Sequence, residues 1–443
     1  MWTVASSLRT PPSVLPSSSS SSGADHRRER RRPSPPLLLR RRRCSSSVTM
    51  SSSGDPLTAL GRFLWGRSLP PQPLVSAVRS AWSATWLLMM RQLAPSDPSG
   101  SYSRPPGPFP AVPPSYLLPN PNPNPNPTAT LHLYAALPCP WAHRALLVRA
   151  LRNLEPLLPV SVAAPGSDGS WEFRNQRDGD ETYGGDLVPG PDRASGRRTL
   201  REVYGMRRGG YEGRSTVPML WDAEKKEVVC NESYAIIEFL NSVPGGSGPD
   251  LCPPELKGVI EKWNRVIYPS VNNGVYRCGF AQSQEAYDTA VNELFSTLDK
   301  LESHLSSSRY LCGETLTLAD VCLFTTLIRF DLVYNVLFKC TKMKLCEYSN
   351  LHAYLRDIYQ IPKVAETCNL EAIMDGYYQT LFPLNPGSIR PIIPSVCKHE
   401  FLSKPHNRET FSSSNKQLQP QMHEDCLERS IMEANHMGSY TTH

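Results

Sequence analysis

Cys139 stands immediately before Pro140 in "ALPCPWAHRALLVRAL" (Ala136 to Leu151), and the apolar spacing that follows is that of a helix. A thiol at a helix N-terminus faces unpaired amides and the positive end of the helix dipole. That predicts a lowered pKa and a nucleophile toward sulfur or soft carbon. Pro140 suits the first helical position, where no amide is required. Two-cysteine redox motifs carry a second thiol three positions on, but Ala142 occupies that place. A mixed disulfide on Cys139 must therefore be resolved by a thiol from solution. The competing reading is a small buried cysteine; position opposes it, because the strand-to-helix junction of a βαβ unit faces ligand rather than core.

Two further features have site character. Val217-Pro218 lies in a loop leading into a hairpin strand and is a candidate cis peptide that would expose the Val217 backbone to an extended peptide, although most such bonds are trans. "NES", from Asn231 to Ser233, opens a helix; its amides and the Ser233 hydroxyl suit a carboxylate, and Glu232 suits an ammonium group, with ordinary capping as the alternative. Together with Cys139 they describe a groove for a small zwitterionic thiol peptide such as glutathione. His143, one turn after Cys139, is a candidate base, but packing is the commoner role of such a residue.

The elements that must position these residues follow a pattern. "ATLHLYAAL" predicts a strand, Pro140 to Leu151 a helix and "LLPVSVAA" a second strand; "STVPMLWD" and "EVVCN" predict a hairpin, and "ESYAIIEFLN" a helix. The order βαβ then ββα is that of a thioredoxin-like domain. Beyond Pro253 the patterns are helical. "YDTAVNELFSTLDKLESHL" repeats apolar residues at Ala290, Leu294, Leu298, Leu301 and Leu305, and "LTLADVCLFTTLIRFDLVYNVLF" is apolar over most of its surface, which predicts a central buried helix. Thr317 and Asp320 give its start the form of a capping box, with Leu316 and Val321 as the hydrophobic staple. The predicted fold is α/β plus all-α: a thioredoxin-like glutathione-binding domain over 128–243, then an all-helical domain over 253–394. Residues 51–127 are predicted as a helical extension and a Pro-rich linker, and 395–443 as a disordered tail. In the extension, Arg79 and Arg91 leave too short a charge-free stretch for a membrane span.

The formal charge of +6 is concentrated at one end. Ten arginines against Asp25 and Glu29 give the first fifty residues +8, so the other 393 sum to −2 and nucleic acid binding loses its main support. Residues 1–50, rich in serine and arginine, predict an organelle transit peptide; the block Ser17 to Ser22 and the prolines favour the chloroplast over the mitochondrion, with a disordered cytosolic tail as the alternative. The twelve cysteines are scattered without paired spacing, which predicts reduced thiols and no metal site.

These residues carry a resemblance. Cys-Pro at the first helix, Val-Pro, Glu-Ser and the Thr-x-x-Asp box resemble the glutathione transferase family. "CPWAHR", "GSWEF", "TVPMLWD", "NES", "YPSVNNGVYRCGFA", "LADVCLFTTLIRFD" and "LRDIYQIPKVAETCN" resemble most closely the glutathionyl-hydroquinone reductases, or xi-class glutathione transferases, over about Leu131 to Pro394; the extension resembles that of plant members. The resemblance implies that Cys139 attacks the sulfur of a glutathionyl-hydroquinone, through a keto tautomer, and carries glutathione as a mixed disulfide that a second glutathione resolves. It implies glutathione contacts at Trp171, Val217, Glu232 and Ser233, an aromatic pocket at Tyr276 and Tyr377, hydroquinone-type substrates, glutathione as co-substrate with no permanently bound cofactor, and a homodimer. Assigning Tyr377 rather than Tyr378 depends on the motif register.

Cys322 stands where the family usually has arginine after "ADV", Leu337 where histidine is common before "FKC", and the segment between "SVAAPG" and "GSWEF" is short. These departures bear on the choice of aromatic substrate. A thioltransferase or dehydroascorbate reductase using the same thiol is the enzymatic alternative. A non-catalytic carrier of aromatic metabolites is the alternative from another class.

Overall fold

The computed structural model describes residues 71–117, 130–166, 170–174 and 187–413. The predicted transit peptide, the end of the Pro-rich repeat and the last thirty residues of the predicted tail lie outside the described residues. The chain divides into two units at Ser83/Ala84, inside helix α1 (Gln72–Leu93). In the larger unit the last turns of that helix bury Met90 and Leu93, and the Trp86 indole donates to the Pro383 carbonyl at 2.9 Å. Among the described residues no helix is long and apolar enough to cross a membrane.

A four-stranded mixed sheet has the order β2-β1-β5-β6, from β1 (Leu131–Ala135), β2 (Val160–Val162), β5 (Met219–Asp222) and β6 (Glu227–Cys230). β1 pairs parallel with β2 at Leu133↔Val160 and antiparallel with β5 at Leu133↔Leu220. Every residue of β1 is buried, as expected of a central strand covered on both faces. Its polar side chains have partners: His132 Nε2 lies 2.8 Å from Ser161 Oγ, and the Tyr134 hydroxyl donates to Asp192 at 2.8 Å. A short ribbon, β3 (Ala164–Pro165) with β4 (Trp171–Glu172), follows β2. Helices α2 (Pro140–Leu151) and α4 (Ser233–Ser242) pack together beside the sheet, and α3 (Leu200–Gly205) is capped by Thr199.

The rest is helical: α5 (Lys257–Ile267), α6 (Gly274–Phe280), α7 (Gln284–Leu305), α8 (Leu318–Leu327), α9 (Ser349–Tyr359) and α10 (Leu370–Tyr378). In α7, Ala290, Leu294, Leu298, Leu301 and Leu305 are buried, as their period predicts. α8 is buried throughout, and Asp320 accepts from both the amide (2.8 Å) and the hydroxyl (2.7 Å) of Thr317. The long predicted central helix is broken: after α8 the chain turns to a π-helical stretch at Phe330–Tyr334, which re-aims the side chains that follow.

Two expectations need correction. Residues 95–117 are no free linker. Val112 is buried, Tyr102 packs edge-on against Phe280 at 5.3 Å, and Phe109 exchanges backbone and side-chain bonds with Asn231. Proline removes amides from regular ladders, but it leaves carbonyls and apolar side chains free to dock. The predicted disordered tail likewise begins too early. Buried Arg408 donates to the carbonyls of Leu305 (3.0 Å) and Arg309 (2.9 Å), and Leu402 and His406 are buried, so the chain is anchored as far as Arg408 by groups that average polarity does not register.

Candidate active site

The turn between β1 and α2 is held by a residue far along the chain, in the helical half. Arg329, fully buried just past α8, donates to the carbonyls of Leu137 (2.9 Å) and Pro138 (3.1 Å), to Thr325 O (2.9 Å) and to His143 Nδ1 (2.9 Å). Accepting at Nδ1 leaves His143 a proton on Nε2, which meets Thr367 Oγ1 at 2.8 Å. Burial, and then the Arg329 charge, hold His143 well below the usual histidine range. It is a neutral strut, and the base reading is withdrawn.

Cys139 caps α2 with extended backbone angles (φ −76°, ψ 117°), and Pro140 takes the first helical position. The amides of Trp141 and Ala142 face its sulfur. The expected low pKa is nevertheless reversed without ligand. Cys139 is half-buried by surface area, but enough protein surrounds the sulfur that desolvation pushes the thiol up, against the pull of the two amides, Arg104 and Arg329. Its S–H donates to the Val217 carbonyl at 3.5 Å. A thiolate formed there is the more nucleophilic for its higher pKa.

Val217–Pro218 is cis, and among the described residues no group takes the Val217 amide, which leaves that donor unpaired. Glu232 is the N-cap of α4 and makes no side-chain capping bond. Ser233 donates to Glu232 Oε1 at 3.4 Å and accepts from buried Arg144 at 3.3 Å; Arg144 also donates to Asn272 Oδ1 at 2.9 Å. The structure thus joins Cys139 to Val217, and Glu232 to Ser233. Trp171 sits half-buried on β4 opposite Pro165, and no contact among the described residues ties it to the other four.

The aromatic pair meets directly. Tyr276 of α6 and Tyr377 of α10 place their hydroxyls 2.6 Å apart, and Tyr334 joins them at 3.0 Å from Tyr377. Tyr378 instead donates to the Leu332 carbonyl, so of the two neighbouring tyrosines it is Tyr377 that meets Tyr276. Phe338 and Trp141 line the same cluster, at 5.3 and 6.3 Å from Tyr276. Burial pushes the Tyr276 and Tyr377 phenols well above their ordinary range, and a charge on Cys139 would push Tyr276 further, so sulfur and phenols share one environment. α10 comes this close because position 376 is glycine: a Cβ there would lie 2.2 Å from Pro138 Cγ. Sequence reasoning missed Tyr334, Arg104, Arg144 and Arg329. Only the last gave a signal, a lone arginine in an apolar run.

Known proteins match this chain over the same region. Residues 138–243 match the glutathione S-transferase N-terminal domain, and 284–357 the C-terminal domain. Glutathionyl-hydroquinone reductase YqjG of Escherichia coli is 42% identical over 285 residues, which is 63% of this chain and 82% of that protein. The chain belongs to the glutathione S-transferase family. Within this family, glutathionyl-hydroquinone reductase PcpF of Sphingobium chlorophenolicum is 41% identical over 60% of this chain and 82% of its own length. The glutathione-bound structure of the Escherichia coli YqjG protein superposes with a TM-score of 0.58 over 63% of this chain and 88% of that one. The fold is accordingly the family's thioredoxin-like domain followed by its helical domain. Where this glutathione transferase departs from its motifs, the substitutions are buried: Cys322 and Leu337 both lie in the core.

Proposed function

We propose that this protein is a glutathione-dependent reductase that removes glutathione from glutathionyl-hydroquinones. The observation that carries the reading is one thiol, Cys139, set between the unpaired backbone amide of Val217 and a box of phenol donors, with Ala142 where a resolving thiol would stand. The Cys139 thiolate attacks the glutathionyl sulfur of the keto tautomer. The sulfur–carbon bond breaks, its electron pair passes into the ring, and a proton completes the hydroquinone. Cys139 is left as a mixed disulfide, and a second glutathione displaces it, so glutathione disulfide leaves and the thiolate is restored. Conjugation is disfavoured, since sulfur beside the bound peptide favours disulfide exchange.

Val217, Glu232, Ser233 and Trp171 are proposed as the glutathione contacts, and Tyr276 and Tyr377 as donors to the quinol oxygen. Thioltransfer on other mixed disulfides needs only the glutathione half of the site. Chloroplast targeting rests on the composition of residues 1–50, and a homodimer on the family resemblance.

Intact-mass measurement after mixing with a glutathionyl-hydroquinone tests the reading. The expected result is one glutathione added at Cys139, removed by excess glutathione, with turnover abolished in Cys139→Ser. Unchanged mass with tight aromatic binding would make the protein a carrier instead.

A further inference from the structure

The segment before β1 brings a cation to the thiol. The Arg104 guanidinium lies 3.9 Å over the Trp141 ring; that ring stacks on Tyr276 at 28° and 6.3 Å, and its backbone amide faces the Cys139 sulfur. Arg144 also lies against Trp141, at 4.5 Å, but it is buried and both of its terminal nitrogens are committed, to Ser233 and Asn272. Arg104 differs in both respects. It is half-buried, and among the described residues no carboxylate or carbonyl takes its N–H groups. A cation–π contact fixes where the guanidinium sits while leaving its hydrogen-bond donors unspent.

The chain on either side is anchored, so this placement is rigid. Two residues earlier, Tyr102 packs on Phe280, which in turn packs on Tyr276 at 5.8 Å. Five residues later, Phe109 accepts from the Asn231 amide at 3.0 Å and donates to its side chain at 3.3 Å, beside Glu232 and Ser233.

We propose that Arg104 is a catalytic residue of the reductase, its guanidinium binding the oxygen that becomes anionic as the hydroquinone departs. This rests on the reading of the site given above. When the Cys139 thiolate takes the glutathionyl sulfur, the electron pair of the breaking sulfur–carbon bond converts the ring carbonyl to a phenolate, which solvent then protonates. The tyrosines can meet that oxygen only as neutral donors, because burial holds them protonated. A preorganised cation stabilises developing charge more strongly. The same charge pulls the Cys139 thiol down against burial.

The test compares Arg104→Gln and Arg104→Lys on two substrates: a series of glutathionyl-hydroquinones whose phenols differ in acidity, and a glutathione mixed disulfide with an alkyl thiol, which releases no phenolate. Arg104→Gln should lose on the order of 100-fold in kcat/KM on the quinols, most on the least acidic phenol, and at least tenfold less on the disulfide. Arg104→Lys should recover part of the loss. Equal losses on both substrates would reduce Arg104 to a partner of the thiol, and an unchanged quinol rate would remove it from the site. If Cys139→Ser also keeps its quinol activity, the proposed reaction has failed rather than this residue's part in it.

Discussion

The two halves of this molecule build the site in different ways. The thioredoxin-like half presents its groups where elements begin or loops bend: Cys139 caps α2, Val217 precedes a cis proline, and Ser233 opens α4. The helical half delivers its groups from within or between packed helices, with Tyr276 in α6, Tyr334 in a π turn, Tyr377 in α10 and Arg329 just past α8. The first set depends on local backbone geometry. The second depends on how helices far apart in sequence pack, and one of its members holds the first set in place.

Arg329 is therefore the residue whose loss should blur the contrast most. Its guanidinium is fully buried and serves three carbonyls and His143, two of those carbonyls belonging to the turn before Cys139. Arg329→Met would fill much of the volume yet strand four buried acceptors, at a cost of about 3–5 kcal/mol. Chemical denaturation should show that loss, and the remaining folded protein should react poorly at Cys139. Full stability with normal Cys139 reactivity would mean that the turn holds itself, and that the halves are independent.

The same contrast explains what could be read in advance. The strand and helix order of the first half, Cys139 at its cap and the candidate cis bond at Val217 were all legible, because each is a short-range pattern of residue types. Tyr334 was not, because the predicted helix ran straight through it; the π turn at Phe330–Tyr334 arises where α8 meets its neighbours, and no local propensity announces it. Arg104 sat in a stretch read as linker, since proline content speaks against ladders but is silent about docking. The Cys139 pKa was misjudged for a related reason: a helix N-terminus is visible in sequence, whereas the burial that outweighs it is tertiary.

The tyrosine cluster offers a sharper, smaller test. Tyr377 bridges the hydroxyls of Tyr276 and Tyr334, so Tyr377→Phe breaks both bonds at once, whereas Tyr334→Phe leaves the 2.6 Å pair intact. On a glutathionyl-hydroquinone, Tyr377→Phe should lower kcat by about 10- to 100-fold and Tyr334→Phe by less than about tenfold, with thiol exchange on an alkyl mixed disulfide nearly unaffected by either. Equal losses for both variants would show that the cluster acts as packing rather than as a donor.

Acid should weaken the thioredoxin-like half before the helical half. Burial lowers His132 of β1 to about 4, and His143 lies well below the usual range. Between pH 6.5 and 4 an unfolded chain therefore binds protons that the folded sheet refuses. Stability is fully present above pH 6.5 and falls with pH, by up to about 1.4 kcal/mol per pH unit for each histidine. In the helical half, burial raises the Asp320 carboxyl, so falling pH relieves a cost there; His352, lowered by burial and by Arg356, works the other way. Hydrogen exchange at pH 7 and pH 5 should show protection lost at Leu133 and Val148 before Leu298 and Leu323. His132→Gln should flatten the decline in stability by about 1 kcal/mol per pH unit in that window. If both halves lose protection together and the variant changes nothing, His132 is not what makes the sheet sensitive to acid.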